Sequence, residues 1–351
     1  MTHPSSLWRG FALTAATGLA TVGTAGALTT GTAAADPAPP TPAPTAPSAV
    51  VSGNALQITG TDAPDRIVVT FPDADPTGVL VTFTDGSVQR FSRTFGTIVA
   101  RLGAGDDAFT VSPSVADVPA FVQGGEGNDA IHGGNANDVL DGGAGNDTIT
   151  GGSGDDLLQG GAGDDVVAGG IGRDAANLGT GDDTFTWLPG EGSDVVDGGL
   201  GHDVLGFAGA SVAEHFSLDA NGSSAVLFRN VGNVRMDLAH VEEVQVQAGG
   251  GPDLLDVGDL AGTAVRDVDL DLSSAGQPDG ATDIVTVQDT AGNDEVHVGG
   301  HDGTVDVTGL PARTHVTGPD RADELQLATA TGHDRVHVAP GATALMTISQ
   351  T

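Results

Sequence analysis

The stretch GGAGNDTITGGSGDDLLQGGAGDDVVA (residues 142–168) consists of three nine-residue units laid end to end. Each unit opens with two glycines and has an aspartate at its sixth position and an apolar residue at its eighth. The pattern extends in both directions: seven units fill 124–186, and two more fill 189–206 after Trp187 and Leu188. A fixed short period of this kind predicts a solenoid in which every unit forms the same turn and strand.

Two positions of the unit have the same type of residue in all nine units. The sixth is aspartate in all nine units: Asp129, Asp138, Asp147, Asp156, Asp165, Asp174, Asp183, Asp194 and Asp203. The eighth is apolar in all nine: Ile131, Leu140, Ile149, Leu158, Val167, Ala176, Phe185, Val196 and Leu205. We therefore expect the eighth positions to face the interior and the sixth positions to form rows.

Rows of aspartate create an electrostatic problem for such a solenoid. Stacked strands lie about 4.8 Å apart, so two aspartates in register repel by about 0.9 kcal/mol in water and about 3.5 kcal/mol at an effective dielectric constant of 20. Each unit also buries only one large side chain and must order several glycines, which lose the most backbone freedom on folding. The sequence therefore predicts a cation within each row.

Calcium fits this composition best. It accepts six to eight oxygen ligands in loose geometry, including main-chain carbonyls, and glycines let a turn direct its carbonyls inward. Magnesium demands a stricter octahedron, while the lack of cysteine and of regularly spaced histidine argues against zinc. We expect Ca²⁺ as the cofactor, the nine sixth-position aspartates as its ligands, and folding that depends on calcium.

The pattern GGxGxDxUx, where U is a large apolar residue, resembles the hemolysin-type (RTX) calcium-binding repeat of secreted bacterial proteins. The resemblance implies a parallel β-roll, with six residues in a calcium-binding turn, three in a short strand, and two units in each coil. It also implies that each ion is bridged by one unit and the next but one. One edge would then carry Asp129, Asp147, Asp165 and Asp183, and the other Asp138, Asp156 and Asp174.

The remaining sequence divides into four further segments. Residues 1–35 have the features of a signal peptide, with an apolar run at 11–28 and a small-residue cleavage site after Ala35. Residues 36–49 form a Pro-rich linker. Short β-branched runs alternating with Gly/Asp turns predict an N-terminal β-rich segment at 50–120 and a C-terminal one with degenerate repeats at 207–351.

The predicted fold class is therefore all-β: a calcium-stabilised parallel β-roll or β-solenoid at 121–206, flanked by irregular β-rich segments.

The net charge of the chain limits the partners that it can bind. Forty-seven acidic residues against twelve basic ones, all arginine, give a formal charge of −35. This favours calcium ions over nucleic acid or an anionic membrane. The run at 11–28 is rich in Thr and Gly, so membrane insertion is not expected.

Sequence motifs give no support for catalysis. There is no HExxH and no GxSxG. A polysaccharide-modifying enzyme on a β-helix would need basic and aromatic residues to hold an acidic sugar. Beyond residue 35 the chain has no Lys, no Tyr and one Trp, Trp187. The histidine pairs His297/His301 and His333/His337 are better explained as solvated strand residues than as zinc ligands.

We therefore expect no enzymatic activity but a secreted, extracellular calcium-binding protein with a structural or surface-associated role. The alternatives are an adhesin or surface-layer component and, less favoured, the polysaccharide-modifying enzyme. A cell-surface or matrix polymer stays open as a partner, as does the oligomeric state.

Overall fold

The computed structural model describes residues 44–72, 77–112 and 118–351. The predicted signal peptide and residues 36–43 of the predicted linker lie outside these ranges. The first strand begins at Ser48, inside the last part of that linker. In the described ranges no helix is both long and apolar enough to cross a membrane.

Seven strands precede the repeat block: β1 (Ser48–Ser52), β2 (Ala55–Thr59), β3 (Arg66–Thr70), β4 (Gly78–Thr82), β5 (Val88–Ser92), β6 (Thr97–Ala104) and β7 (Ala108–Val111). Ten strands span the block: β8 (Ala120–Glu126), β9 (Ala130–Gly134), β10 (Val139–Ala144), β11 (Thr148–Ser153), β12 (Leu157–Ala162), β13 (Val166–Ile171), β14 (Ala175–Thr180), β15 (Thr184–Trp187), β16 (Val195–Leu200) and β17 (Val204–Ala208).

The strands after the block are β18 (His215–Asn221), β19 (Ser224–Arg229), β20 (Val234–Ala239), β21 (Glu243–Gln247), β22 (Leu254–Val257), β23 (Asp267–Asp271), β24 (Ser273–Ser274), β25 (Gln277–Pro278), β26 (Ile284–Gln288), β27 (Glu295–His301), β28 (Thr304–Thr308), β29 (Arg313–Thr317), β30 (Glu324–Ala328), β31 (Arg335–Val338) and β32 (Thr347–Gln350). A 3₁₀ turn (Val231–Asn233) and one short helix, α1 (Ala342–Leu345), complete the regular structure of the described residues.

Within the repeat block, successive strands alternate between two long sheets. One sheet contains β8, β10, β12, β14 and β16, and the other contains β9, β11, β13, β15 and β17. Neighbours in a sheet are parallel and 18 residues apart, as in the pairs Val139↔Leu157 and Thr148↔Val166. Two nine-residue units therefore make one coil, which confirms the parallel β-roll.

The two residues inserted at Trp187 and Leu188 lengthen one coil without breaking the stack. Ala175 pairs with Val195, 20 residues later, and the sheet continues in register. Trp187 itself is fully buried and donates its indole N–H to the carbonyl of Gly192 at 2.8 Å. It stacks on Phe207, with 4.1 Å between the ring centroids. The insertion thus supplies a large apolar side chain to the core of the last repeat coils.

The core lies between the two sheets. All nine eighth-position side chains point into it and are at most 2 % exposed, as expected. The second inward position of most repeat strands is the first glycine of the next unit, which is also buried. Most repeat strands therefore contribute one side chain to the core. A flanking strand such as β21 instead buries two, Val244 and Val246.

Both sheets continue far beyond residues 121–206. Upstream, β2, β6 and β3, β7 are parallel extensions of the same stack. Downstream, β22, β26, β30 and β32 extend one sheet, and β21, β23 and β29 extend the other. The flanks are irregular because antiparallel strands interrupt the coils: β3–β5, β18–β20 and β27–β29.

Candidate metal centres of the repeat block

The sixth-position aspartates form two ladders, one at each edge where the chain turns from sheet to sheet. On one edge the N–H of Asp129 donates to Oδ1 of Asp147 at 2.7 Å, and that of Asp147 donates to Oδ1 of Asp165 at 2.7 Å. On the other edge Asp138 donates in the same way to Asp156 at 2.7 Å. The structure therefore groups the aspartates on the two edges that the resemblance implied.

These ladders continue past the seven contiguous units. Downstream, the N–H of Asp183 donates to Oδ1 of Asp203 at 3.0 Å, and that of Asp174 to Oδ1 of Asp194 at 2.9 Å. Upstream, the N–H of Asp107 donates to Oδ1 of Asp129 at 2.8 Å. Asp107 occupies the sixth position of LGAGDDAFT (102–110), which is an isolated copy of the unit.

The second oxygen of each of these carboxylates is buried and has no hydrogen-bond partner among the described residues. The atoms are Oδ2 of Asp107, Asp129, Asp138, Asp147, Asp156, Asp165, Asp174, Asp183, Asp194 and Asp203. A buried polar atom without a partner costs free energy, and a buried charge costs more. An unbroken series of such atoms at one position of a repeat indicates a positively charged ligand.

Main-chain carbonyls converge on the same places. A Cβ added to Gly142, the first residue of its unit, would lie 2.3 Å from Oδ2 of Asp147 and 2.7 Å from the carbonyl oxygen of Gly160. At Gly151 the distances to Oδ2 of Asp156 and the carbonyl of Gly169 are 2.3 and 2.6 Å. Glycine at the first position therefore keeps a carboxylate oxygen and a carbonyl of the next coil close together.

This donor set fits calcium. Carboxylate and carbonyl oxygens are hard ligands, and calcium tolerates their irregular arrangement. The Oδ2 atoms and the inward carbonyls would hold the ion. The ion would supply the positive charge that stacked carboxylates need to stay ionised side by side.

Burial raises the pKa of these aspartates. The pKa is raised to about 7 at Asp156 and Asp174, and to about 6 at Asp129 and Asp147. In each case the N–H of the preceding coil's aspartate acts in the opposite direction and lowers the pKa. The charges that act on Asp165 are all negative ones, those of Asp147, Asp183 and Asp164. The protein surroundings alone therefore disfavour the charged form.

Sequence reasoning missed a second ladder at the fifth position, on the exposed side of the same turns. The N–H of Asn146 donates to the side-chain oxygen of Asn128 at 2.7 Å, and that of Asp164 to the side chain of Asn146 at 3.0 Å. The preference of this position for Asn and Asp was visible in the sequence. Its short polar side chains satisfy turn N–H groups that the strands leave unpaired.

The C-terminal coils carry further members of the ladder outside the regular nine-residue period. The N–H of Glu214 donates to Asp253, that of Asp253 to Asp283, and that of Asp283 to Asp323, at 2.8, 2.8 and 3.0 Å. These residues are 30 to 40 positions apart because hairpins and loops lengthen the coils. A strict nine-residue period does not connect them, although Asp253 lies in AGGGPDLLDV (248–257), one of the degenerate repeats of the C-terminal segment.

The histidine pairs do not form a compact metal site in the structure. His297 stacks on His337, with ring centroids 5.0 Å apart, and His301 pairs with Asp306 at 3.0 Å. His297, His301 and His337 line an open groove on one sheet and are more than half exposed.

A family model described as the RTX calcium-binding nonapeptide repeat (4 copies) matches residues 121–149, 150–185 and 190–205. No curated protein matches the chain. Nine of the ten ladder aspartates with an unpartnered Oδ2 lie in the matched residues, and the tenth, Asp107, lies upstream of them. Residues 121–205 therefore form an array of RTX calcium-binding nonapeptide repeats.

Proposed function

We propose that this chain is a secreted protein whose repeat block folds when calcium binds, and that its role is structural rather than catalytic. The observation that carries the proposal is the series of buried Oδ2 atoms without partners on both edges of the roll. Each is the sixth-position aspartate of a nonapeptide unit, so every turn of the block presents the same need for a cation.

Calcium dependence follows from the balance of forces in the block. Most of its strands bury one side chain each. Several turn glycines, such as Gly145 and Gly154, have φ values of 126° and 130°. Little apolar burial therefore opposes the conformational entropy of these turns and the repulsion along the ladders. Calcium binds the folded array and stabilises it by mass action, while the expanded chain offers no preformed site.

The flanking coils have more apolar cores. Strand β3 buries Ile67 and Val69, and β21 buries Val244 and Val246. We propose that these segments depend less on calcium than the repeat block does. Extracellular calcium modules bind at about 10⁻⁴–10⁻³ M. Export into a calcium-rich medium would therefore trigger folding of the block.

Two features support a role without catalysis. Trp187 is fully buried against Phe207, so it does not offer a stacking platform for a sugar. The aspartates whose pKa is raised lie in regular ladders at the edges of the roll. A turn repeated in this way is typical of a structural metal array. Retention at the cell surface, as an adhesin or surface-layer component, is the second candidate. The Pro-rich residues 36–49 favour it, because such a segment acts as a spacer.

The test is a calcium titration of the full-length protein, followed by circular dichroism and by counting the bound metal with native mass spectrometry. We expect strand signal to increase cooperatively with calcium, because neighbouring coils share turns. The Asp302→Asn variant is the control, since Asp302 lies in an exposed hairpin turn outside the ladders. Full strand signal in excess chelator would contradict the proposal. Fractionation of the producing cells, with and without calcium, separates release from surface retention.

A further inference from the structure

A separate acidic cluster lies in the C-terminal coils, outside the residues that match the repeat family. Asp289 directly follows β26, Asp294 directly precedes β27, and Asp334 directly precedes β31. One carboxylate oxygen from each lies within 4.8 Å of those from the other two. Two consecutive turns of the stack, 289–294 and 329–334, thus bring three carboxylates together.

Asp289 distinguishes this cluster from an ordinary acidic surface patch. Its side chain is only 4 % exposed. Oδ1 accepts a hydrogen bond from the N–H of Ala330 in the neighbouring turn. Oδ2 is buried and has no partner among the described residues. A carboxylate that is held at one oxygen and unpartnered at the other, next to two further carboxylates, has the arrangement of a metal ligand.

The two turns hold the other carboxylates through their own donors. Oδ2 of Asp294 accepts from the N–H of Thr290 at 3.1 Å and from its hydroxyl at 2.8 Å. Oδ1 of Asp334 accepts from the N–H of Asp294 at 3.0 Å. These bonds fix one oxygen of each carboxylate, so the cluster is positioned by the backbone before any ligand binds.

The surrounding charges are negative. Burial raises the pKa of Asp289 most, and the charges of Asp334, Asp294 and then Asp259 raise it further. The hydrogen bond from the N–H of Ala330 lowers the pKa of Asp289. Three carboxylates this close repel each other strongly unless a cation lies between them.

We propose that Asp289, Asp294 and Asp334 form a calcium site that joins the β26–β27 turn to the β30–β31 turn. An all-oxygen set of carboxylates selects a hard divalent cation, and the irregular spacing of the three suits calcium better than magnesium. Asp294 and Asp334 occupy the sixth position of two degenerate units (289–297 and 329–337), as the ladder aspartates do in the repeats. Asp289 adds a third carboxylate at the first position, where most repeat units have glycine.

The site acts independently of the repeat array. It would fix the last coils of the solenoid, where β26, β30 and β32 form the end of one sheet and β27 and β31 the end of the other. A terminal coil has a stacking neighbour on one side only, so it is the part of a one-dimensional array that frays most readily. A cation that joins two turns there would suppress fraying.

The test compares the full-length protein with its Asp289→Asn variant. Asparagine can still accept the hydrogen bond from Ala330 through its oxygen, but it removes the unpartnered charge. We expect native mass spectrometry to count one calcium fewer in this variant than in the wild type. Hydrogen exchange should show that calcium no longer protects the two turns, while protection in 124–206 is unchanged. Asp302→Asn should bind the wild-type number of ions.

Two further comparisons distinguish calcium binding from a purely structural role of Asp289, and this site from the repeat sites. In chelator, Asp289→Asn should protect the two turns at least as well as the wild type does, because repulsion is relieved. Equal loss of protection with and without calcium would assign Asp289 a purely structural role and overturn the proposal, as would an unchanged calcium count. The Asp156→Asn variant should lose calcium protection in the repeat block and keep it in the two turns, so a failure of the repeat sites is distinguishable from a failure of this one.

Discussion

The guanidinium of Arg229 forms an ion pair with the carboxylate of Glu214, and both side chains are almost fully buried. Nε of Arg229 donates to Oε1 at 2.6 Å. Glu214 occupies the ladder position of a sixth-position aspartate, since its N–H donates to Asp253 one coil later. At this coil the chain supplies its own cation. In the repeats the buried Oδ2 atoms have no such partner among the described residues, so we expect them to depend on an ion from solution.

This buried ion pair predicts that Arg229→Met strongly lowers the free energy of unfolding. Removing one partner of a buried ion pair leaves an uncompensated charge and typically costs about 3–5 kcal/mol. The guanidinium also lies 5.3 Å from the centre of the Trp187 ring, so packing is lost as well. We expect a drop of this size in the free energy of unfolding, measured by denaturant titration at saturating calcium. The double variant Arg229→Met/Glu214→Gln should recover much of it; no recovery would mean that charge is not the cause.

The position of an aspartate in its ladder should decide the effect of its loss. Asp156 has an aspartate on both sides, Asp138 and Asp174. Asp203 ends its run, because the next acceptor is Glu242. Asp156→Asn should therefore raise the calcium midpoint and lower the cooperativity more than Asp203→Asn does. Calorimetric titration of the two variants measures both quantities, and indistinguishable curves would argue against shared sites.

The first glycine of a unit should not tolerate alanine. In Gly151→Ala the new Cβ would lie 2.3 Å from Oδ2 of Asp156 and 2.6 Å from the carbonyl of Gly169. Relieving that overlap must displace two of the oxygens proposed to hold calcium, at a typical overpacking cost of about 1–3 kcal/mol. We expect weaker calcium binding and a lower melting temperature. Gly299→Ala is the control, since nothing lies within 4 Å of its added Cβ. Equal effects of the two substitutions would show that these two oxygens do not take part in calcium binding.

The regular part of the fold was predictable because one unit repeats without a gap. The invariant Asp at position six and the apolar residue at position eight indicate which side chains face inward. The 18-residue register follows from the two units to a coil that the family resemblance implied. Asp253 lies in a recognisable degenerate repeat, but Asp283 escapes this reasoning because a loop lengthens the coil between them, although the ladder bond is the same. Asp289 escapes for a different reason: it joins its cluster through tertiary contact and not through any period.

Acid should partly replace calcium in stabilising the repeat block. Burial raises the pKa of Asp138 and Asp194 to about 7 and that of Asp203 to about 6, whereas an unfolded aspartate has a pKa of about 3.9. A carboxyl group with a raised pKa in the folded state binds its proton more tightly there. The folded state therefore gains stability as the pH falls from about 7 to about 4, and this gain is lost again as the pH rises to the folded pKa of about 6 to 7.

The measurement is strand content in chelator as a function of pH. We expect circular dichroism to show more strand at about pH 5 than at about pH 8, because protonated aspartates no longer repel each other. With calcium present the dependence should reverse, since protons compete with the ion for the same Oδ2 atoms and calcium affinity falls with pH. The Asp302→Asn variant should follow the wild-type curves. Strand content that decreases on acidification in chelator would contradict the argument, because buried carboxylates would then be more stable charged than neutral.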